Sequence, residues 1–373
     1  MNVDVYCYDD IENPRCGGGG AFRERAVHDY LSSRHSIKFF TGNFPGATRF
    51  DRPNFSCRRL GFSRNYLFSR ISFAFLATIR ALFSKADVIT IEYSIYSPVL
   101  AFLFRPAKTV VLFFHITGRQ VFAKYGAFGI FPFIAEKLVL GCGRNFITLT
   151  DSMAESLRRA RPKVRAVAGY VNFDSSLLTP SSQDDHSILC FGRIDIRMKG
   201  IDILFDAFEK TARKFPEYRL VIAGRGKESD IEWLKSRIAA SPFRQKISYL
   251  VNPSDSAKKQ LLRCATLVCM PSRFEGWNIV AIEAAACGKP TLGTRIHGLT
   301  DSIRENETGL LAEPENSDDL AEKLALLLSS PELRTRLGST GHSWAKKFTI
   351  QRVAGIQEDF YNLVSNRDNP RVP

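Results

Sequence analysis

The stretch FEGWNIVAIEAAACGKP, Phe274 to Pro290, lies between two short apolar runs, Leu267 to Met270 and Thr291 to Thr294. Runs of that length and composition read as strands buried on both faces, so the stretch between them is the loop and helix of a strand–helix–strand unit. Two carboxylates stand in it eight residues apart, Glu275 on the turn and Glu283 inside the apolar run. A core-facing helix favours leucine at such a position, because a buried carboxylate costs free energy unless its oxygens are taken up. The unit therefore raises a functional question as well as fixing a local fold.

The same unit recurs along the chain. Expected strands in the first half are Val3 to Tyr8, Ile37 to Thr41, Asp87 to Ile91, Thr109 to Phe114 and Phe146 to Leu149. In the second half they are Ile188 to Gly192, Arg219 to Ala223, Ile247 to Val251, Leu267 to Met270 and Thr291 to Thr294. Helical faces such as Ile201, Leu204, Phe205 and Phe208 fall between them. Alternation of this kind predicts an α/β protein with parallel sheets covered by helices on both sides. At 373 residues the chain is long enough for two such sheets. The polar stretch Leu178 to Ser187 carries a proline, small polar residues and no periodicity, which predicts an interdomain linker at 178–187, between a domain of 1–177 and one of 188–348.

Composition sets the surroundings. The formal charge of +14 is uneven: residues 1–180 hold 24 Lys and Arg against 13 Asp and Glu, leaving 28 against 25 for the remainder. An excess of one sign in one half predicts a polyanionic partner, nucleic acid or a membrane surface. Residues 58–83 interleave Arg58, Arg59, Arg64, Arg70 and Arg80 with Phe62, Tyr66, Leu67, Phe68, Phe73, Phe75 and Leu76. That mixture suits a helix lying in the plane of a membrane interface, and equally a core helix edged with arginines. The eight cysteines include no C-x-x-C pair and fall mostly in apolar runs, as expected of reduced thiols in a cytosolic protein. No signal peptide and no span of 18 uncharged apolar residues is visible, so the chain is expected in the cytoplasm, peripheral on the inner face of the cell membrane.

Ligands of open parallel sheets collect at the carboxyl ends of strands, in the loops that open helices. CFGRIDIRMKG leaves a strand at Phe191, turns at Gly192 and presents Arg193 and Lys199 before a helix starting near Ile201, an arrangement that suits an anion. AGRGKES repeats the glycine turn at Gly224 and Gly226, and CGGGGAFRE does so near the N-terminus.

In FGRIDIRMKGIDILFDAF, LVIAGRG, LVCMPSRFEGWNIVAIEAAACGKPTLGT and NETGLLAEPENSDDLAEKLALLL, across about residues 186 to 330, the chain resembles the family-4 retaining glycosyltransferases. The resemblance implies the GT-B fold, two facing Rossmann-like domains with an interdomain active-site cleft, and a C-terminal helix within 349–373 crossing back to the N-terminal domain. Glu275 and Glu283 fill the family's E-x7-E motif. Glu275, with Gly276, Trp277, Asn278 and Ile279, would then form the donor-sugar loop, and Glu283 would accept the ribose hydroxyls of a nucleotide-sugar. A carboxylate can take both hydroxyls of a cis-diol, which leucine cannot. The resemblance also implies that Arg193 and Lys199 hold the diphosphate, and that Gly18 and Gly19 of the N-terminal glycine run approach it. His115, just past a strand, would lie beside donor sugar and acceptor; read alone, a single histidine is more often structural. Two departures from the pattern stand out: four consecutive glycines, Gly17 to Gly20, in place of a pair, and Asn278 where a glycine is common.

The implied reaction moves a sugar from a nucleotide-sugar to a glycan or glycolipid acceptor of the cell envelope, with retained anomeric configuration. No D-x-D sequence is present, which agrees with catalysis needing no metal or other cofactor. Cations fixed on the departing phosphate would stabilise its charge as the bond breaks. A nucleotide-sugar epimerase of similar architecture, and transfer to a small soluble acceptor, remain alternatives. A nucleic-acid partner would explain the charge and leave the ordered nucleotide-sugar motifs unexplained.

Overall fold

The computed structural model describes residues 1–13, 19–94, 98, 100–114, 118, 121–122 and 126–365. The chain divides into two units, one of Met1–Asn172 with Ile350–Pro373 and one of Phe173–Thr349.

In the first unit the strands are β1 (Asn2–Tyr6), β2 (Ser36–Gly42), β3 (Phe50–Arg52), β4 (Phe55–Leu60), β5 (Val88–Glu92), β6 (Thr109–Phe113), β7 (Asn145–Thr148) and β8 (Arg165–Ala168). They form one sheet in the order β3-β4-β2-β1-β5-β6-β7-β8, parallel except for the antiparallel edge pair β3 and β4. Chain order reverses at β1, so the loops leaving β1 and β5 open at a switch point. The helix Ile350–Ser365 belongs to this unit; its Val353, Ala354, Phe360, Tyr361 and Val364 lie in the core with Val3, Val5, Val27 and Leu31.

The second unit holds β9 (Ser187–Phe191), β10 (Arg219–Gly224), β11 (Ile247–Val251), β12 (Leu267–Met270), β13 (Thr291–Thr294) and β14 (Gly309–Ala312), all parallel, in the order β11-β10-β9-β12-β13-β14. The switch point here lies between β9 and β12. Helices Ile201–Thr211 and Ser317–Ser329 supply much of one apolar layer, with Leu204, Phe205, Phe208, Leu320, Leu324 and Leu327 fully buried.

Each expected strand is present within a residue or two. Four further strands, β3, β4, β8 and β14, carry weaker sequence signals. β4 corrects the reading of residues 58–83 as one helix, since Arg58 and Arg59 belong to a strand and the helix begins at Tyr66, capped by Asn65. The linker also moves. Residues 178–187 pack within the second unit, where Ser181 N–H donates to Cys287 O at 2.9 Å and Asp185 N–H to Cys264 O at 2.8 Å. Backbone groups satisfied in this way tie a polar segment down despite its composition. Among the described residues no helix is long and apolar enough to cross a membrane. The described cysteines are all free; Cys7, Cys57, Cys190, Cys269 and Cys287 are buried and Cys142 is exposed.

Candidate active site

In the second sheet the loops after β9 and β10 are held together backbone to backbone. Gly224 has φ +151°, and a Cβ on it would fall 1.5 Å from Gly192 O. Only glycine allows that approach. Beyond it, Ile194 N–H donates to Arg225 O at 2.7 Å and Ile194 bridges Gly226, so the loop after β9 rests on the loop after β10. This support carries the segment Arg193 to Gly200 toward the loop after β12.

The two loops meet at Glu275. Its Oε1 accepts from Lys199 Nζ, from Ser272 Oγ at 2.9 Å and from Asn278 Nδ2 at 3.0 Å. Asn278 is also the N-cap of the helix Ile279–Ala286, its Oδ1 accepting from Ala281 N–H at 3.1 Å. The asparagine that departs from the common glycine thus does two tasks: it satisfies the helix start and fixes the loop carboxylate. Gly192, Arg193, Lys199, Ser272, Glu275 and Asn278 line one pocket. Arg193 is exposed and forms no ion pair among the described residues.

Glu283 lies further along that helix and is 2 % exposed. Its Oε1 accepts from Lys258 Nζ at 2.6 Å, while Oε2 is buried with no hydrogen-bond partner among the described residues. A carboxylate can accept about four hydrogen bonds, so one lysine leaves it under-satisfied. Burial pushes its pKa up, and Lys258 opposes that shift. Lys258 Nζ lies 5.6 Å from the centre of the Phe191 ring, which places the pair beside the end of β9.

Other expected site residues divide clearly. Gly276 has open space where a side chain would be, whereas Trp277 packs on Phe348 with ring centres 5.5 Å apart. Ile279 opens the helix. Gly19 begins the helix Gly19–Leu31. Gly18 and His115 lie outside the described residues. Ser272 and Lys258 were not expected. Ser272 has only its place at a strand end to mark it, and Lys258 follows the exposed pattern of a polar helix, so neither had a signal that set it apart.

Of the four arginines expected at a membrane or acceptor surface, Arg58, Arg59, Arg64 and Arg70, three need correction. Arg59 is buried and paired with Asp10 at 2.6 Å and Glu12 at 2.7 Å. Arg58 pairs with Asp51 at 2.8 Å, and Arg70 pairs with Asp9 at 3.3 Å while stacking on Tyr8 and Tyr66. Only Arg64 of the four is exposed and unpaired among the described residues. The helix Tyr66–Leu82 instead turns an apolar row outward. Ser69, Phe73, Ala77 and Ala81 are buried, and Leu67, Ile71, Phe75 and Ile79 on the opposite face, with Phe83 just beyond the helix, are all exposed.

Comparison with known proteins bears on the fold and on the second unit. Residues 179–344 match the family model described as glycosyl transferases group 1. An uncharacterized glycosyltransferase of Methanocaldococcus jannaschii is 31 % identical over 206 residues, 54 % of this chain and 55 % of its own. A phosphatidyl-myo-inositol mannosyltransferase of Mycobacterium leprae is 30 % identical over 180 residues, 48 % of this chain and 47 % of its own. The chain spans about half the length of the curated relatives it matches. The Anabaena protein HepE, solved with UDP and glucose, has the same fold over 97 % of this chain and 100 % of its own, with a TM-score of 0.74 at 14 % identity. Residues 179–344 are a glycosyltransferase group 1 domain, carried in a chain with the two parallel-sheet domains of the GT-B fold.

Proposed function

We propose that the protein transfers a sugar from a nucleotide-sugar to a lipid-linked or cell-envelope glycan acceptor at a membrane surface, with retained configuration and without a metal. The observation that carries the donor assignment is Glu283, a carboxylate given one lysine donor in a buried place that could accept several. Ribose hydroxyls supply the missing donors. In this reading Lys199 and Arg193, on the loop after β9, neutralise the diphosphate, and Glu275, held by three donors, orients the sugar. As the glycosidic bond breaks, charge grows on the leaving phosphate, and fixed cations lower the barrier by holding it more strongly than the ground state. The UDP in the HepE structure supports a nucleotide donor, and the phosphatidyl-myo-inositol acceptor in the name of the mycobacterial relative supports a lipid-linked one.

The experiment is incubation with UDP-, GDP- and ADP-sugars, following release of nucleoside diphosphate with and without a membrane-lipid extract and with and without EDTA. The expected result is release from one nucleotide class, stimulated by lipid and indifferent to EDTA. Conversion of the donor to its epimer without diphosphate release would replace transfer by epimerisation. Loss of activity in EDTA with recovery on Mn²⁺ would end the metal-free assignment.

A further inference from the structure

We infer that the first unit carries an anionic phospholipid headgroup site, a groove beside the end of the helix Tyr66–Leu82. The inference rests on the membrane reading above and deepens it. The groove is open, about 550 Å³, and its cations are Lys38 on β2, Arg80 in the last turn of the helix and Lys85 just after it. All three are exposed, and none forms an ion pair among the described residues. Arg80 is held in place by its guanidinium lying 4.6 Å from the centre of the Phe40 ring. Among the described residues the one carboxylate lining the groove, Asp4, is 8 % exposed and accepts from Ser84 Oγ at 2.6 Å, so it sits at the floor with its charge partly taken up.

The groove shares its wall with the apolar row. Leu76, Ile79 and Phe83 line it and are 40 %, 42 % and 79 % exposed. Neighbouring helices add exposed apolar residues of their own. The short helix Leu100–Phe104, with Phe104 exposed, lies against both Tyr66–Leu82 and the helix Ile130–Cys142, which exposes Phe131, Ile134 and Leu138. An apolar face of this extent marks an interaction surface. The occupant is a bilayer and not a protein partner because free cations edge the apolar row at Phe83, as acyl chains below phosphate headgroups require. A paired arginine contributes little to such an attraction, which is why Arg58, Arg59 and Arg70 are not part of it.

The test is flotation with vesicles of phosphatidylcholine alone or of phosphatidylcholine and phosphatidylglycerol in equal parts, at low and high salt. Three proteins are compared: wild type, K38Q/R80Q/K85Q, and L67S/I71S/F75S on the outward row. Wild type is expected to prefer mixed vesicles by about tenfold or more at low salt, a preference that salt removes. K38Q/R80Q/K85Q should bind both vesicles as wild type binds phosphatidylcholine, and L67S/I71S/F75S should lose both. Donor-sugar hydrolysis and thermal midpoint should be unchanged in both variants. A K38Q/R80Q/K85Q protein that keeps the preference overturns the groove and leaves the membrane reading standing. Wild type that floats with neither vesicle overturns both, and displacement from mixed vesicles by millimolar glycerol 3-phosphate overturns the lipid in favour of a small soluble anion.

Discussion

Lys258 Nζ donates to Glu283 Oε1 at 2.6 Å, and the other Glu283 oxygen, buried, has no partner among the described residues. Loss of a charged hydrogen bond to a ligand costs about 1.5–3 kcal/mol, so Glu283→Ala should weaken nucleotide binding by roughly tenfold to a hundredfold. Titration calorimetry with the preferred nucleoside diphosphate measures it. Lys258→Ala should act differently, lowering stability by leaving the carboxylate buried without the one donor it has among the described residues. Unchanged affinity in folded Glu283→Ala would remove Glu283 from the site.

Asn278 separates two roles on one side chain. Asn278→Ser keeps an N-cap oxygen for Ala281 N–H and removes the amide that donates to Glu275. Its thermal midpoint should stay near that of wild type while turnover drops. Asn278→Ala removes both and should also cost about 1 kcal/mol of stability. Equal turnover in the serine variant and wild type would show that Glu275 needs no support from the amide.

Gly224→Ala places a methyl 1.5 Å from Gly192 O at a φ of +151°. Backbone cannot yield that far without separating the loops after β9 and β10, so the variant should destabilise the second unit by a few kcal/mol and abolish donor binding together. Denaturant unfolding followed by Trp fluorescence tests this, since all three tryptophans lie in that unit. An unfolding midpoint like that of wild type would show that the loops can part without cost.

His28 gives the first unit an acid limit. Its ring is fully buried between Glu24 O at 2.8 Å and Tyr361 Oη at 2.9 Å, and burial lowers its pKa to about 3. The unfolded chain titrates near the ordinary histidine value of about 6.5, so between the two values it binds a proton that the folded unit does not. Stability from this residue is therefore complete above about pH 6.5 and falls as pH drops toward 3. Thermal midpoints of wild type across pH 4 to 7 should decline on the acid side more steeply than those of His28→Gln, whose side chain has no proton to gain. Parallel curves would show that the ring is accessible to protonation in the folded state.

The strand–helix–strand units were legible because apolar runs and helical periodicity are local, and strands buried on both faces leave no room for polar exceptions. By the same logic a glutamate in an apolar helix announced itself, so Glu283 could be singled out from order alone, as could Arg193 and Lys199 beside a glycine turn. Tertiary structure decided what those charges touch. Lys258 comes from a helix 25 residues upstream to meet Glu283, and Lys199 reaches Glu275 across 76 residues of sequence, from a loop that rests on the loop after β10 through Gly192, Ile194 and Gly224. The arginines of 58–83 show the limit most plainly. Their spacing among aromatics was visible, yet Arg59 found Asp10 and Glu12, Arg70 found Asp9, and Arg58 found Asp51. A charge is a local property of sequence, but whether it is spent on a neighbour or left for a ligand depends on which distant segment the fold lays beside it.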